Sequence, residues 1–375
     1  MSLYKILVGG YRSVYEIFSF EPSTSKVKLA GSSPALIKPT WIELPGSPIN
    51  KGNSEERYLY TVSDVDGGSA VSLKLKGDDI EITGQRQCYG GAVHIHVMKD
   101  GSGIILSNFS GGSAIFFPID SNGALSKTSA SPLLKLPFVY EGQTAPNPKR
   151  QEACHAHNVV EGLDGKLYLS DLGTDRIWII KREGESGLAI DGWLQAPPGS
   201  GPRHSLISED GKFLYNLTEV SNEILIFPLD STAEHPEPLP SKVSVIPPSV
   251  PSDPAAQAHM NAAQLFFNPA HPGVVYASNR LELTLPSEFA TGEQGDAVAI
   301  VKLNAAGDEL GEVKWVRTGC NNLRGMRVSP DGKYVVVAGR VGGGLEIWST
   351  GQDGTDWKLA GKDETIDLVT DMTWL

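Results

Sequence analysis

The feature of this chain that most restricts its fold is a short β-type run that recurs seven times along it. Each copy is followed by a few polar or glycine residues and then by a second apolar run. A unit of two or more short strands cannot bury its apolar faces alone, so it has to pack on its neighbours, as the units of a propeller or a solenoid do. The copies begin at Tyr4, Arg57, Ser102, Gly165, Gly211, Gly273 and Gly332.

A further short strand precedes most of these runs, and a turn separates the two. Asp-Gly forms that turn at Asp100, Asp164, Asp210 and Asp331. An Asp-Gly pair between two apolar runs is the strongest short-range signal of a β-hairpin. We therefore expect hairpins in which the preceding strand is the inner strand of a unit and the recurrent run is the next strand outward.

One unit lacks its inner strand, because only three residues precede the run that begins at Tyr4. The last residues of the chain, 370–375, resemble residues 39–44, which form the inner strand before Arg57. A C-terminal strand that completes the N-terminal blade would close the ring and remove its exposed strand edges. The sequence thus predicts an all-β, seven-bladed β-propeller in which residues 1–375 form a single domain.

Composition and charge narrow the classes of partner and compartment. The net charge is −12 with dispersed acidic residues, which argues against nucleic acid or an anionic membrane as a partner. No apolar stretch reaches the length of a transmembrane helix, and the N-terminus has no signal-peptide core. Three widely spaced cysteines (Cys88, Cys154 and Cys320) are typical of a reducing compartment. We expect a cytoplasmic protein.

Three longer spacers interrupt the pattern of short strands. Residues 134–150 and 231–254 are rich in proline, and residues 285–295 are polar. In a packed ring such inserts are expected to be surface loops that form a rim or a lid.

Polar residues collect at one end of the predicted hairpins. The start of an inner strand and the end of its antiparallel partner lie on the same rim, so residues from these places should meet at one channel mouth. Several arginines at a narrow mouth repel one another unless an anion lies between them, and an acidic protein that gathers them there is expected to bind one. The inner-strand starts carry His94, His96, His155, His157, Arg203, His204, His259, Asn261 and Arg324, and the partner ends carry Asp64, Asn108, Asp171, Glu219, Arg280 and Arg340.

Three segments, residues 147–160, 170–177 and 201–206, resemble the seven-bladed lactonase family. This family includes bacterial-type 6-phosphogluconolactonase and the fungal carboxy-cis,cis-muconate cyclase, and the resemblance extends over nearly the whole chain. Matched motif by motif, it implies an active site made of His157, Arg203, Glu219 and Arg280. In the phosphogluconolactonase pattern His155 fits as well as His157.

The chemistry implied is lactone formation or opening on a small polyanionic acid, without a metal or an organic cofactor. The first expectation is a carboxy-cis,cis-muconate cyclase, and the alternative is a hydrolase like 6-phosphogluconolactonase. His157 or His155 would move the proton, Arg203 and Arg280 would bind substrate carboxylates, and Glu219 would orient an arginine or the histidine. The partner would be a small carboxylate or a phosphorylated lactone. Further substrate contacts are expected from His94, His96, His155, His204, Arg324, Arg340 and Asp171.

Three rival interpretations remain. The pairs His94/His96 and His155/His157 each place both side chains on one strand face and could hold a divalent metal, although no carboxylate or cysteine at metal spacing accompanies them. Cys154 beside His155 could be taken for a nucleophile pair, but adjacent strand residues point to opposite faces, which favours a buried thiol. A non-catalytic scaffold is the third, although the chain lacks the Gly-His and Trp-Asp repeat of scaffold propellers.

Overall fold

The computed structural model describes residues 3–47, 49–50, 56–65, 67–127, 130–184 and 187–375, and they are almost entirely strands and turns. Helices are limited to α1 (Pro254–His259) and two 3-10 turns, Glu282–Thr284 and Ser287–Phe289. None of the helices in this part of the chain is long and apolar enough to cross a membrane. The strands are β1 (Tyr4–Gly10), β2 (Val14–Glu21), β3 (Lys26–Pro34), β4 (Trp41–Glu43), β5 (Glu56–Ser63), β6 (Ser69–Lys76), β7 (Asp79–Gln87), β8 (Ala92–Val97), β9 (Gly103–Asn108), β10 (Ser113–Pro118), β11 (Leu134–Lys135), β12 (Ala156–Glu161), β13 (Leu167–Asp171), β14 (Arg176–Glu183), β15 (Gly187–Gln195), β16 (Pro202–Ile207), β17 (Phe213–Thr218), β18 (Glu223–Pro228), β19 (Lys242–Ser244), β20 (Asn261–Asn268), β21 (His271–Arg280), β22 (Ala297–Leu303), β23 (Leu310–Arg317), β24 (Leu323–Val328), β25 (Tyr334–Gly339), β26 (Leu345–Ser349), β27 (Lys358–Asp363) and β28 (Val369–Trp374).

The strands form seven four-stranded antiparallel sheets, which are the blades of a propeller. Blade 1 has the strand order β28-β1-β2-β3, so the C-terminal strand is the inner strand of the N-terminal blade. Blades 2 to 7 each use four consecutive strands, from β4–β7 through β24–β27. The predicted propeller and its closure are confirmed. That the chain forms a single domain stays a prediction.

The Asp-Gly turns lie where the hairpins require them. Gly101, Gly165, Gly211 and Gly332 all have positive φ angles, between 70° and 79°. At Gly332 a Cβ atom would lie 2.3 Å from the side-chain oxygen of Asn268 in the neighbouring blade. Glycine is therefore needed at this turn both for its backbone angle and for the close approach of the next blade.

The core is divided among the interfaces between blades. One apolar cluster fills each contact between neighbouring blades, and the cluster between blades 7 and 1 contains Met372 and Trp374 of β28. A single blade would leave both of its apolar faces in water, so each blade is stabilised by its neighbours on both sides.

The longer spacers differ in part from the expectation of surface loops. The spacer 134–150 contains β11, and 231–254 contains β19, which are the outer strands of blades 3 and 5. These strands have two and three residues only, and an outer strand buries little surface, so it carries no alternating apolar pattern that the sequence could reveal. The spacer 285–295 contains no strand and one 3-10 turn.

Candidate active site

A repeated irregularity in the inner strands directs side chains toward the channel. In blades 4, 5 and 7 the pairing of the inner strand skips one residue, and the skipped residues are His157, Arg203 and Arg324. A β-bulge of this kind bends the strand and turns the extra side chain away from the regular alternation. The ring thus presents a histidine and two arginines from equivalent positions of three blades.

Glu219, which directly follows β17, lies at the centre of a group of arginines. It forms ion pairs with Arg203, with Arg150 at 2.5 Å and with Arg280 at 3.1 Å. Its side chain is only 6% exposed, so these charges interact with little screening by water. Burial opposes ionisation of Glu219, but the three guanidinium groups outweigh it and hold the pKa of the carboxyl well below its usual range.

The three arginines are held by backbone and amide oxygens as well. Arg203 donates from Nε to the carbonyl oxygen of Ala263 at 2.7 Å, and Arg280 donates to that of Ala262 at 3.1 Å. Arg150 donates to Oδ1 of Asn261 at 2.6 Å. We call Glu219, Arg150, Arg203 and Arg280 the glutamate–arginine cluster. Its geometry is fixed by contacts among blades 5 and 6 and the segment before blade 4.

His157 lies next to this cluster as a buried, neutral imidazole. Its residue exposure is 4%, and its ring lies edge-on to Phe109, with 5.8 Å between the centroids. Burial lowers the pKa of His157 well below its usual value, and the positive charges of Arg203 and Arg324 lower it further. Its Nδ1 atom is buried and has no hydrogen-bond partner among the described residues. A neutral imidazole can accept a proton at the ring nitrogen that carries no hydrogen.

His204 and His94 continue inward from His157 along the channel wall. The ring of His204 lies 5.0 Å from that of His157, and the ring of His94 lies 6.0 Å from that of His204. Trp41 packs on His94 at 4.4 Å, and Asn158 donates a hydrogen bond to Nε2 of His94 at 2.9 Å. Burial lowers the pKa of both His94 and His204 well below the usual value.

A second basic group lies around Tyr11, which begins the turn after β1. Arg324 donates from Nη1 to the Tyr11 hydroxyl oxygen at 3.2 Å, and its guanidinium carbon lies 5.7 Å from the ring centroid. Arg340, which directly follows β25, places its guanidinium carbon 5.0 Å from the same centroid. The Tyr11 hydroxyl donates to Asp64 at 2.7 Å, and Asp64 lies 3.8 Å from Nη2 of Arg324. We call Tyr11, Asp64, Arg324 and Arg340 the tyrosine–arginine cluster.

The structure brings together His157, Arg203, Glu219 and Arg280, the four residues that the sequence motifs implied. Charge interactions link Arg324 to Arg203, Arg280 and His157. The two basic clusters therefore share one mouth. Among the described residues, four of the five guanidinium groups there pair with Glu219 or Asp64 and Arg340 pairs with neither, so these side chains together carry a surplus of positive charge.

Two residues that were expected to contact the substrate, His96 and Asp171, do not lie where the sequence placed them. His96 lies near the end of β8 rather than at its start, and it pairs at 3.0 Å with Glu161 at the last position of β12, toward the opposite mouth. Asp171 is completely buried inside blade 4, where it accepts hydrogen bonds from the backbone N–H of His155, from Thr174 and from Trp178. Because its oxygens accept hydrogen bonds from within blade 4, we assign Asp171 a structural role.

His155 points away from the clusters. Its ring stacks on Phe109 with 4.5 Å between the centroids, and its Nε2 atom lies 3.0 Å from Glu152. Of the two histidines that the sequence left open, His157 is the one that lies beside the arginines of the mouth, which lower its pKa. The His-x-His pairs do not converge, and among the described residues no group of three His, Cys, Asp or Glu side chains could hold a metal ion.

The sequence patterns did not indicate three members of the site. Arg150 is part of the segment 147–160 that carries the family resemblance, but it lies outside the predicted strands. Tyr11 directly follows β1, and a single aromatic residue at the end of a strand does not indicate which distant residues it contacts. Trp41 belongs to the inner strand of blade 2, where the repeat could have indicated a channel position.

Comparison with known proteins agrees with this arrangement. A family model described as "Lactonase, 7-bladed beta-propeller" matches residues 5–370. A 6-phosphogluconolactonase from Bacillus subtilis is 26% identical over 341 residues, covering 88% of this chain and 86% of the relative. A 6-phosphogluconolactonase from Formosa agariphila is 22% identical and covers 88% of this chain and 87% of the relative. The crystal structure of a periplasmic gluconolactonase from Pseudomonas aeruginosa superposes with a TM-score of 0.79 at 21% identity, covering 100% of this chain and 99% of that one.

Proposed function

Because the chain belongs to the seven-bladed β-propeller lactonase family, we propose that it hydrolyses the lactone of a phosphorylated sugar acid. The relatives named 6-phosphogluconolactonase favour this alternative over the muconate cyclase that was the first expectation from the sequence. The single observation that carries the proposal is the position of His157, a neutral imidazole at the channel mouth beside a surplus of arginine charge.

The proposed reaction needs a base, a cation near the carbonyl oxygen and a site for the anion. Water attacks the lactone carbonyl carbon and gives its proton to His157, while the guanidinium of Arg203 stabilises the negative charge that develops on the carbonyl oxygen. The bond between the carbonyl carbon and the ring oxygen then breaks. The imidazolium returns its proton to the departing ring oxygen, and the open-chain acid is released.

The arginine charges have a second consequence for His157. They help to lower the pKa of the imidazole in the free protein, which makes it a weak base. A bound phosphate would offset part of this positive charge and raise the pKa of His157 toward neutrality. The substrate anion would thereby improve the base that acts on its own lactone ring.

Glu219 takes the role of a positioning residue in this scheme. Its carboxylate is ionised and engaged by three arginines, so it is poorly suited to carry the proton. It contributes by holding Arg203 and Arg280 together at the mouth despite their mutual repulsion.

The test is hydrolysis of 6-phosphoglucono-1,5-lactone, followed by proton release in weak buffer and corrected for the spontaneous reaction. We expect the protein to accelerate hydrolysis well above the spontaneous rate. A wild-type rate equal to the spontaneous rate would refute the proposal. Loss of 3-carboxymuconate absorbance, measured on the same preparation, would instead support the cyclase, and inactivity on both substrates would leave another lactone or a scaffold role.

A further inference from the structure

The five arginines of the mouth differ in how far the protein already uses them. In the glutamate–arginine cluster, Arg150, Arg203 and Arg280 all pair with Glu219 and also donate to oxygens of Asn261, Ala262 or Ala263. Each of them already directs two or three of its five N–H donors at oxygens of the protein. An anion would have to compete with Glu219 for these guanidinium groups.

The two arginines of the tyrosine–arginine cluster make fewer hydrogen bonds and ion pairs with the protein. Within the part of the chain that the structure describes, the Arg340 side chain makes no ion pair, and its guanidinium carbon lies 5.0 Å from the centroid of the Tyr11 ring. Among the same residues, the guanidinium of Arg324 donates one hydrogen bond, to the Tyr11 hydroxyl, and lies 3.8 Å from the carboxylate of Asp64. Two guanidinium groups that share one aromatic ring therefore keep N–H donors available for a ligand.

Tyr11 is fixed in place beneath both arginines. Its backbone N–H donates to the carbonyl oxygen of Leu368 at 3.0 Å, and its hydroxyl donates to Asp64 while accepting from Arg324. The ring therefore has a defined orientation before any ligand arrives. The π face attracts both guanidinium groups, and this attraction offsets part of the cost of holding two like charges together.

We propose that Tyr11, Arg324 and Arg340 form the subsite for the phosphomonoester of the substrate, and that this subsite determines specificity. A phosphomonoester dianion presents three oxygens that match the planar donors of two guanidinium groups. Asp64 neutralises only part of the positive charge, so the dianion would meet a net positive site. The proposal rests on the proposed function, because it divides one substrate between the lactone end near His157 and the phosphate end near Tyr11.

The test compares binding of 6-phosphogluconate with binding of gluconate by calorimetry, since these acids are stable and differ only in the phosphate. We expect Arg340→Gln to weaken 6-phosphogluconate binding by about tenfold or more and to leave gluconate binding unchanged within about twofold. Arg182→Gln is the matched control, because Arg182 lies at the opposite rim, 3.3 Å from Asp100 of a hairpin turn. Arg340→Lys, which keeps the charge but loses the planar donors, should fall between the two.

The outcomes separate this proposal from the proposed function. A protein that binds 6-phosphogluconate through Arg340 but hydrolyses no lactone would retain the subsite and lose the catalytic assignment. Equal losses for both acids in Arg340→Gln, or no loss for either, would overturn the subsite even if hydrolysis is fast. If circular dichroism shows that Arg340→Gln folds poorly, Arg324→Gln and Tyr11→Phe provide the same comparison. Tyr11→Phe removes only the hydroxyl that joins Arg324 to Asp64.

Discussion

His157 and His204 lie with their ring centroids 5.0 Å apart, although they come from the inner strands of different blades. Each has one buried ring nitrogen without a partner among the described residues, Nδ1 in His157 and Nε2 in His204. Protonation of either ring would place a positive charge beside the other ring and close to Arg203. Both rings are therefore held in the neutral form, and the predictions on activity and on pH depend on this.

Replacement of His157 by glutamine should abolish most of the lactonase activity. Glutamine keeps a polar group of similar reach but cannot take up a proton, so kcat should fall by about a hundredfold or more while KM changes little. The measurement is initial-rate kinetics with 6-phosphoglucono-1,5-lactone. His235→Gln is the control, because His235 stacks on Trp193, outside the channel mouth. Full turnover by His157→Gln, together with loss of activity in His155→Gln, would transfer the role to His155.

Protein stability should decrease as the pH falls below about 6.5, the ordinary pKa of histidine. Burial lowers the pKa of His94, His157 and His204 in the folded protein, so the unfolded chain takes up protons that the folded chain refuses. The folded protein therefore has its full stability above about pH 6.5, where the rings are neutral in both states, and loses part of it as the pH falls. Urea unfolding at several pH values measures the slope, and His204→Phe should reduce it. An unchanged slope in His204→Phe would contradict the shifted pKa.

Replacement of Glu219 by glutamine should destabilise the protein by about 3–5 kcal/mol, because it leaves Arg203 and Arg280 without a countercharge. The pKa of Glu219 is lowered in the fold, so its contribution is present above the ordinary glutamate pKa and is lost as the pH falls through the lower folded value. The difference between wild type and variant in urea unfolding should therefore shrink in acid.

Glu223→Gln on the same blade is the matched control for Glu219→Gln. Glu223 pairs at 2.7 Å with Lys242, which is about half exposed, and such surface pairs contribute about 1 kcal/mol or less. Equal unfolding free energies for the two variants would mean that the arginines do not depend on Glu219.

Replacement of Trp374 by alanine should weaken ring closure. Trp374 is buried in β28, donates from Nε1 to the carbonyl oxygen of Arg327 at 3.1 Å and packs on Tyr4 with 5.7 Å between the centroids. Loss of this side chain should cost about 3–5 kcal/mol of unfolding free energy. Leu359→Ala, at a residue that is 48% exposed, should change it by about 0.5 kcal/mol or less. A loss in Trp374→Ala no larger than in Leu359→Ala would show that closure does not depend on this contact.

The architecture could be predicted from the sequence because its signals are local. Asp-Gly turns and short apolar runs depend on neighbouring residues, and their sevenfold recurrence sets the number of blades. The similarity of residues 370–375 to residues 39–44 indicated closure of the ring. The outer strands β11 and β19 were missed because strands of two or three residues at a blade edge carry too little pattern.

The sequence by itself thus determined the propeller and its closure, and it indicated several of the residues that lie near one rim. Only the tertiary structure decided which of them meet. Arg150 contacts Asn261 across 111 positions, and Arg324 contacts Tyr11 across 313. The tertiary structure also places His96 toward the opposite mouth and Asp171 inside a blade. Strand propensity depends on adjacent residues, whereas the depth, partners and pKa of a channel side chain depend on groups that distant blades bring beside it when the ring closes.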